Sequence, residues 1–365
     1  MKTSFLFCLI CLAPFIGFSQ GDEDLTPEER VYRDSIAALN ETNAAIAASQ
    51  KAYNAGIDMF KSKNYTGAIT KFNESISNDP NFTPALYNKA MAENMAEKYN
   101  DAIKTLGTLM EKKPTMAKAY FQRARSYQGL KDFTKAEQDY LKAIQLEPTN
   151  AKAYYNFGTL KFVQQDYDGA IKQFTKVIEL DAANAFAYND RGSCYRMQDK
   201  YPQAVADYEE AARKNPSLAF VLNNIGTTKT KMKMYDEALK AFNRALAVDP
   251  KFSLAYNNRG VTHMKMNRVD DAVMDFTKAI EADPSYVPAY ANRSGAYFKQ
   301  KKYEEAKKDA DKALSLDPKF ADAYVNRGNA KEMLRDLDGA CDDWFKAKEL
   351  GSEKGKSYFA GNCNQ

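Results

Sequence analysis

SLAYNNRGVTHMKMNRVDDAVMDFTKAIEADPSY, residues 253–286, carries the pattern that decides the fold. It reads as two amphipathic helices with a turn between them. Asp283-Pro284 closes the second, because proline disfavours helix in the residue before it. Near-copies of its opening occur at 153–158 (AYYNFG), 187–192 (AYNDRG), 221–226 (VLNNIG) and 323–328 (AYVNRG). Pro80, Pro114, Pro148, Pro216, Pro250, Pro284 and Pro318 share one frame, spaced by 34 residues or a multiple of it. A fixed period of this size means a solenoid.

With Pro80 as position 32, the chain holds nine repeats: 49–82, 83–116, 117–150, 151–184, 185–218, 219–252, 253–286, 287–320 and 321–354. Position 20 is alanine in all nine, from Ala68 to Ala340, which predicts a tight helix crossing where a larger side chain would not fit. Position 8 is Gly or Ala except for Ser294, and position 24 is mostly aromatic. Position 18 (Thr66, Asn100, Thr134, Asp168, Asp236, Asp270, Asp338) has the residue types that cap a helix, and is expected to start the second one.

This pattern resembles the tetratricopeptide repeat over residues 49–354. The resemblance implies an all-α fold, a right-handed superhelical solenoid of helix-turn-helix repeats, with the first helix of each pair lining a concave groove. Position 4 departs from the family's tryptophan, being mostly Tyr, and repeat 2 is the weakest, with Lys89 and Glu93 where apolar residues are usual. Residues 339–351, GACDDWFKAKELG, look like the closing repeat of exported bacterial members, which often carry a second Cys near the terminus. By that resemblance, Cys341 is expected to pair with Cys363. Cys194 lies within a helical pattern and is expected to be a small buried side chain.

The ends differ from the array. Residues 1–19 join Lys2 to a short apolar run and a small-x-small site, the form of a signal peptide cleaved after Ser19. The mature chain is then exported, periplasmic or secreted, with no membrane segment. Residues 20–48 read as an acidic start followed by a capping helix from Thr26-Pro27 that covers repeat 1, and residues 355–365 as a C-terminal capping segment in which Tyr358 covers the last apolar face. A net charge of +4, spread evenly, argues against nucleic acid as partner.

Two recurring polar sets invite different readings. Position 7 is Arg in repeats 3, 5, 7, 8 and 9 (Arg123, Arg191, Arg259, Arg293, Arg327), and position 23 is Asp in the same five (Asp139, Asp207, Asp275, Asp309, Asp343). The two switch together, which predicts a bridge between the helices of one repeat, Arg gripping the carboxylate with two hydrogen bonds; contact of these arginines with a ligand is the alternative. Position 6 is a ladder of Asn54, Asn88, Gln122, Asn156, Asp190, Asn224, Asn258, Asn292 and Asn326, with which no partner position co-varies. Primary amides both donate and accept, so the ladder can hold a peptide backbone; the alternative is bonding to neighbouring helix backbone. Position 5 runs Tyr53, Tyr87, Phe121, Tyr155, then Asn189, Asn223, Asn257, and is expected in the same groove or as padding between helices. Lys61, Lys231, Lys265 and Lys299 at position 13 add a mildly basic lining.

The single histidine, His263, stands at a packing position, and neither metal-ligand spacing nor a phosphate loop occurs. The expectation is therefore a non-enzymatic scaffold, without cofactor or metal, that binds a protein or peptide segment in the groove. A self-assembling structural subunit and a glycan-binding or polysaccharide-export scaffold are the alternatives. Oligomeric state is left open.

Overall fold

The computed structural model describes residues 26–363 as nineteen α-helices, with no strand among the described residues. The expected signal peptide and the acidic residues 22–24 lie outside them. The chain divides into two compact units, Met1–Asp132 and Phe133–Gln365.

The first unit holds α1 (Pro27–Lys61), α2 (Tyr65–Asn78), α3 (Thr83–Met95), α4 (Tyr99–Lys112) and α5 (Ala117–Gly129). The second begins with α6 (Phe133–Leu146), α7 (Ala151–Val163), α8 (Tyr167–Leu180), α9 (Ala185–Met197), α10 (Tyr201–Lys214), α11 (Ala219–Lys231) and α12 (Tyr235–Val248). It continues with α13 (Ser253–Lys265), α14 (Val269–Ala282), α15 (Val287–Lys299), α16 (Tyr303–Leu316), α17 (Ala321–Met333), α18 (Leu337–Glu349) and α19 (Glu353–Asn362). Within each unit every helix packs on the next. First helices of successive repeats also touch, α11 on α13, α13 on α15 and α15 on α17, which makes them the inner row of the second unit's stack.

The core follows from small residues. All nine alanines at position 20 are fully buried. Ser294 at position 8 donates to the carbonyl of Ala306 at position 20, 2.6 Å away, so the two helices meet almost backbone to backbone. Every turn between the two helices of a repeat places position 15 in the left-handed region, from Lys63 (φ 63°) to Arg335 (φ 69°), and none of these residues is glycine. That tight turn moves the helix start. The second helices begin at position 17, with the cap at position 16 where one forms, as when Asn64 accepts from the Gly67 N–H and Asp166 from the Gly169 N–H. The position-18 residues are therefore not caps. They sit in the first turn, where Asp168, Asp236 and Asp270 favour the helix N-terminus by charge alone.

The N-terminal expectation also needs correction. Residues 27–48 are helical but do not fold over repeat 1: α1 runs unbroken for 35 residues into the first helix of that repeat, and its buried residues begin at Ser49. The junction, NETNAAIAASQKAY (40–53), has no Gly, Pro or other stop signal, and alanine-rich sequence propagates the helix. At the other end Tyr358 stacks on the fully buried Trp344, centroids 5.4 Å apart.

Cys341 and Cys363 are disulfide-bonded across 22 residues, and Cys194 is a buried free thiol. The bond ties α19 to α18. Reduction, or Cys341→Ser, is expected to cost about 3 kcal/mol, confined to this end. Thermal melts with and without dithiothreitol test it, and identical curves would contradict it.

Candidate functional site

Six repeats lie wholly inside the second unit, and the Arg–Asp pair of each of the four that carry one forms a bidentate bridge. Nε and Nη2 of the arginine donate to the two carboxylate oxygens at 2.8 and 2.7 Å (Arg191–Asp207), 2.9 and 2.5 Å (Arg259–Asp275), 2.6 and 2.9 Å (Arg293–Asp309), and 2.8 and 2.6 Å (Arg327–Asp343). The aspartates are buried. Hydrogen bonds donated to the carboxylates raise the pKa of Arg191 and Arg327 further above the usual arginine value. The third nitrogen, Nη1, reaches the preceding repeat: Arg191 donates to Thr175, Arg259 to Asn243, Arg293 to Thr277 and Arg327 to Asp311. Each arginine also lies against the tyrosine three residues earlier, as Arg259 does over Tyr256 at 5.4 Å. These groups are occupied by structure.

The amide ladder is occupied as well, which corrects the view that it lacks a partner. Position 6 of one repeat bonds position 5 of the repeat before it, 35 residues away. Nδ2 of Asn224 donates to Asn189 Oδ1 (3.0 Å), Asn258 to Asn223 (3.0 Å) and Asn292 to Asn257 (2.8 Å). Where position 5 is Ala291, Asn326 donates to its carbonyl at 2.8 Å. In the first unit Asn88 donates to Tyr53 Oη (2.8 Å) and Gln122 to Tyr87 Oη (3.4 Å). Tyr155 reverses the direction and donates to Asp190 at 2.5 Å, while Asn189 donates to the same carboxylate at 2.9 Å. Burial pushes the Asp190 carboxyl up, against the hydrogen bonds from Tyr155 and Asn189.

Position 5 is consequently not an open amide lining. Asn189, Asn223 and Asn257 are buried. A buried polar group needs a partner, and the next repeat supplies it. Tyr53 packs against Phe72 and Phe82, and Phe121 is half-buried. Asn54 is exposed and accepts from Gln50, whereas Asn156 donates to the carbonyl of Lys152 in its own helix.

Two hollows open along the inner row of the second unit. One, of about 330 Å³, is lined by Met264, Lys265, Asn292, Gly295, Asn326 and Lys354, among others. The other, of about 380 Å³, is lined by Lys152, Tyr155, Asn156, Asp181, Asn184 and Phe186, with Ala151. Of the ladder, Asn156, Asn292 and Asn326 thus line these hollows, and Asp190 lines a further one with Thr159, Phe162, Phe174 and Ser193. Between the hollows runs a feature absent from the sequence expectations: Phe186 and Phe220, both exposed, stack at 6.3 Å, and exposed Leu254 follows at the same position 2. A signal existed, since the other repeats carry Gln50, Pro84, Lys118, Lys152, Pro288 and Asp322 there.

Among the described residues no His, Cys, Asp and Glu group could hold a metal ion, and no helix is long and apolar enough to cross a membrane. His263 lies half-buried beside Asp271 and Asp275, its pKa lowered by burial.

Comparison with known proteins agrees with this architecture. Tetratricopeptide repeat models match residues 117–150, 219–252 and 253–286, a second such model matches 155–219, and a TPR repeat model matches 295–334, together more than half of the chain. The chain belongs to the tetratricopeptide repeat proteins. Its fold is the family's all-α solenoid of helix pairs, and it shares the family's character as a protein-interaction scaffold. No curated protein sequence matches it. Among solved structures, a tetratricopeptide repeat protein from Parabacteroides merdae aligns with a TM-score of 0.56 at 22% identity, covering 68% of this chain and 99% of that one. PilW, described as a type IV pilus biogenesis factor, aligns with a TM-score of 0.51 at 20% identity, over 57% of this chain and 97% of its own.

Proposed function

We propose that this tetratricopeptide protein acts by binding rather than catalysis, and holds an extended protein segment along the inner row of its second unit. The observation that carries the reading is the exposed Phe186–Phe220 stack beside a hollow. Two aromatic rings left in water, at a register position where no other repeat carries an aromatic, offer large contact area at small entropy cost. Asn292 and Asn326 border the far hollow, where Lys265 and Lys354 favour acidic side chains of the segment. The nine repeats 49–82 through 321–354 are the scaffold of this reading, and residues 355–365 close it. The chain acts outside the cytoplasm, in the periplasm or after secretion; the leader-like residues 1–19 and the Cys341–Cys363 bond support this.

The test is a photo-crosslinking side chain placed at Phe220 in the producing cell, with Glu305 as the control site. A protein partner is expected at Phe220 and not at Glu305. With that partner in hand, Phe186→Ser/Phe220→Ser is expected to weaken binding about 10- to 100-fold without changing the thermal melt. Equal capture at both sites, or unchanged affinity of the variant, would overturn the groove reading.

A further inference from the structure

The unabsorbed surface is the first half of α1. Tyr32, Ile36, Leu39 and Ile46 are 41–71% exposed on a helix whose buried residues begin only at Ser49. With Asn43 they stand at alternating spacings of four and three residues. That is the 3.5-residue period of a helix packed along a second helix. Glu29, Ile36 and Asn43 take the a positions, and Tyr32, Leu39 and Ile46 the d positions, so the apolar part of the seam begins at Tyr32.

We propose that residues 27–48 pair in parallel and in register with the same segment of a second copy of this chain, as a short two-stranded coiled coil. Asn43 selects the occupant. Its amide is satisfied in the seam by an identical amide, and stranded against an apolar side chain by any shift in register. The flanks agree. Glu28 and Arg33 fall at g and e positions five residues apart, so Glu28 of one copy meets Arg33 of the other, and the remaining flanks (Ser35, Asn40, Thr42, Ala47) are uncharged. A membrane surface fits less well, because residues 27–48 carry four acidic side chains against two arginines. This pairing is independent of the groove reading.

Sedimentation velocity on the protein as its host produces it is expected to show a dimer that dissociates on dilution. Ile36→Glu/Leu39→Glu removes four apolar side chains from each dimer seam and is expected to raise the dissociation constant at least about 100-fold, with the melt of the repeats unchanged. Tyr32→Cys is expected to crosslink two copies on oxidation, since only the parallel register places residue 32 beside its own copy. A monomer at every concentration, or a dimer indifferent to the double substitution, overturns the proposal. So does a dimer that Tyr32→Cys fails to crosslink, or a monomer that co-sediments with anionic phospholipid vesicles through this stripe.

Discussion

Asp309→Ala is expected to destabilise the second unit by about 3–5 kcal/mol. The carboxylate accepts two hydrogen bonds from Arg293 and is itself buried, so its removal leaves a guanidinium half-buried with only Thr277 to bond. The loss reflects the stranded charge more than the worth of the bridge. Arg293→Leu/Asp309→Leu, which strands nothing, is therefore expected to recover most of the stability, and chemical denaturation of both variants checks this. Because Arg293 also ties repeat 8 to repeat 7 through Thr277, Asp309→Ala is further expected to broaden the transition as coupling between neighbouring repeats falls. A loss below about 1 kcal/mol would mean that solvent reaches the arginine and the bridge is a surface pair.

This bridge was legible in the sequence because nine repeats compare the chain with itself. Arg and Asp appear and vanish together 16 residues apart, so the pairing shows without coordinates. The arginine's third contact was not legible, since its acceptors are Thr175, Asn243, Thr277 and Asp311, alike only in carrying an oxygen. The amide ladder failed for another reason: its partner lies one repeat and one residue away, so a search within repeats finds nothing. Across repeats the match is plain, with Asn224, Asn258 and Asn292 following Asn189, Asn223 and Asn257. The helix pairs and the tight crossing at position 20 were legible from period and side-chain size. The unbroken α1 was not expected because capping was inferred from what an array needs, while local sequence holds no signal to turn the chain back. Phe186 and Phe220 carry no periodic signal, since position 2 has no recurring residue type, and a binding surface is marked by residues that depart from the repeat.

Gly226→Ala is expected to cost about 1–3 kcal/mol, a large effect for one methyl group. A Cβ at residue 226 would stand 2.6 Å from the ring of Phe242, which is fully buried and has nowhere to move. Phe242→Ala, which empties the same space, is expected to cost about 3–5 kcal/mol. The two positions share one volume, which most repeats divide between a small and a large residue, while repeat 3 holds both Ala124 and Tyr140 buried there. Glycine faces a ring in Gly158–Phe174, Gly260–Phe276 and Gly328–Trp344. Repeat 2 fills the place with Ala90 and Leu106, both buried in one cluster, and repeat 8 with Ser294 and Ala310. Gly226→Ala/Phe242→Leu copies the repeat 2 solution and conserves volume, so it is expected to cost less than about 1.5 kcal/mol, below Gly226→Ala and Phe242→Leu added together. A double-mutant cycle by urea denaturation reads the coupling directly. Strict additivity would mean that the two helices adjust their spacing independently of this contact. The volume shared by positions 8 and 24 would then not set how closely the helices of a repeat approach.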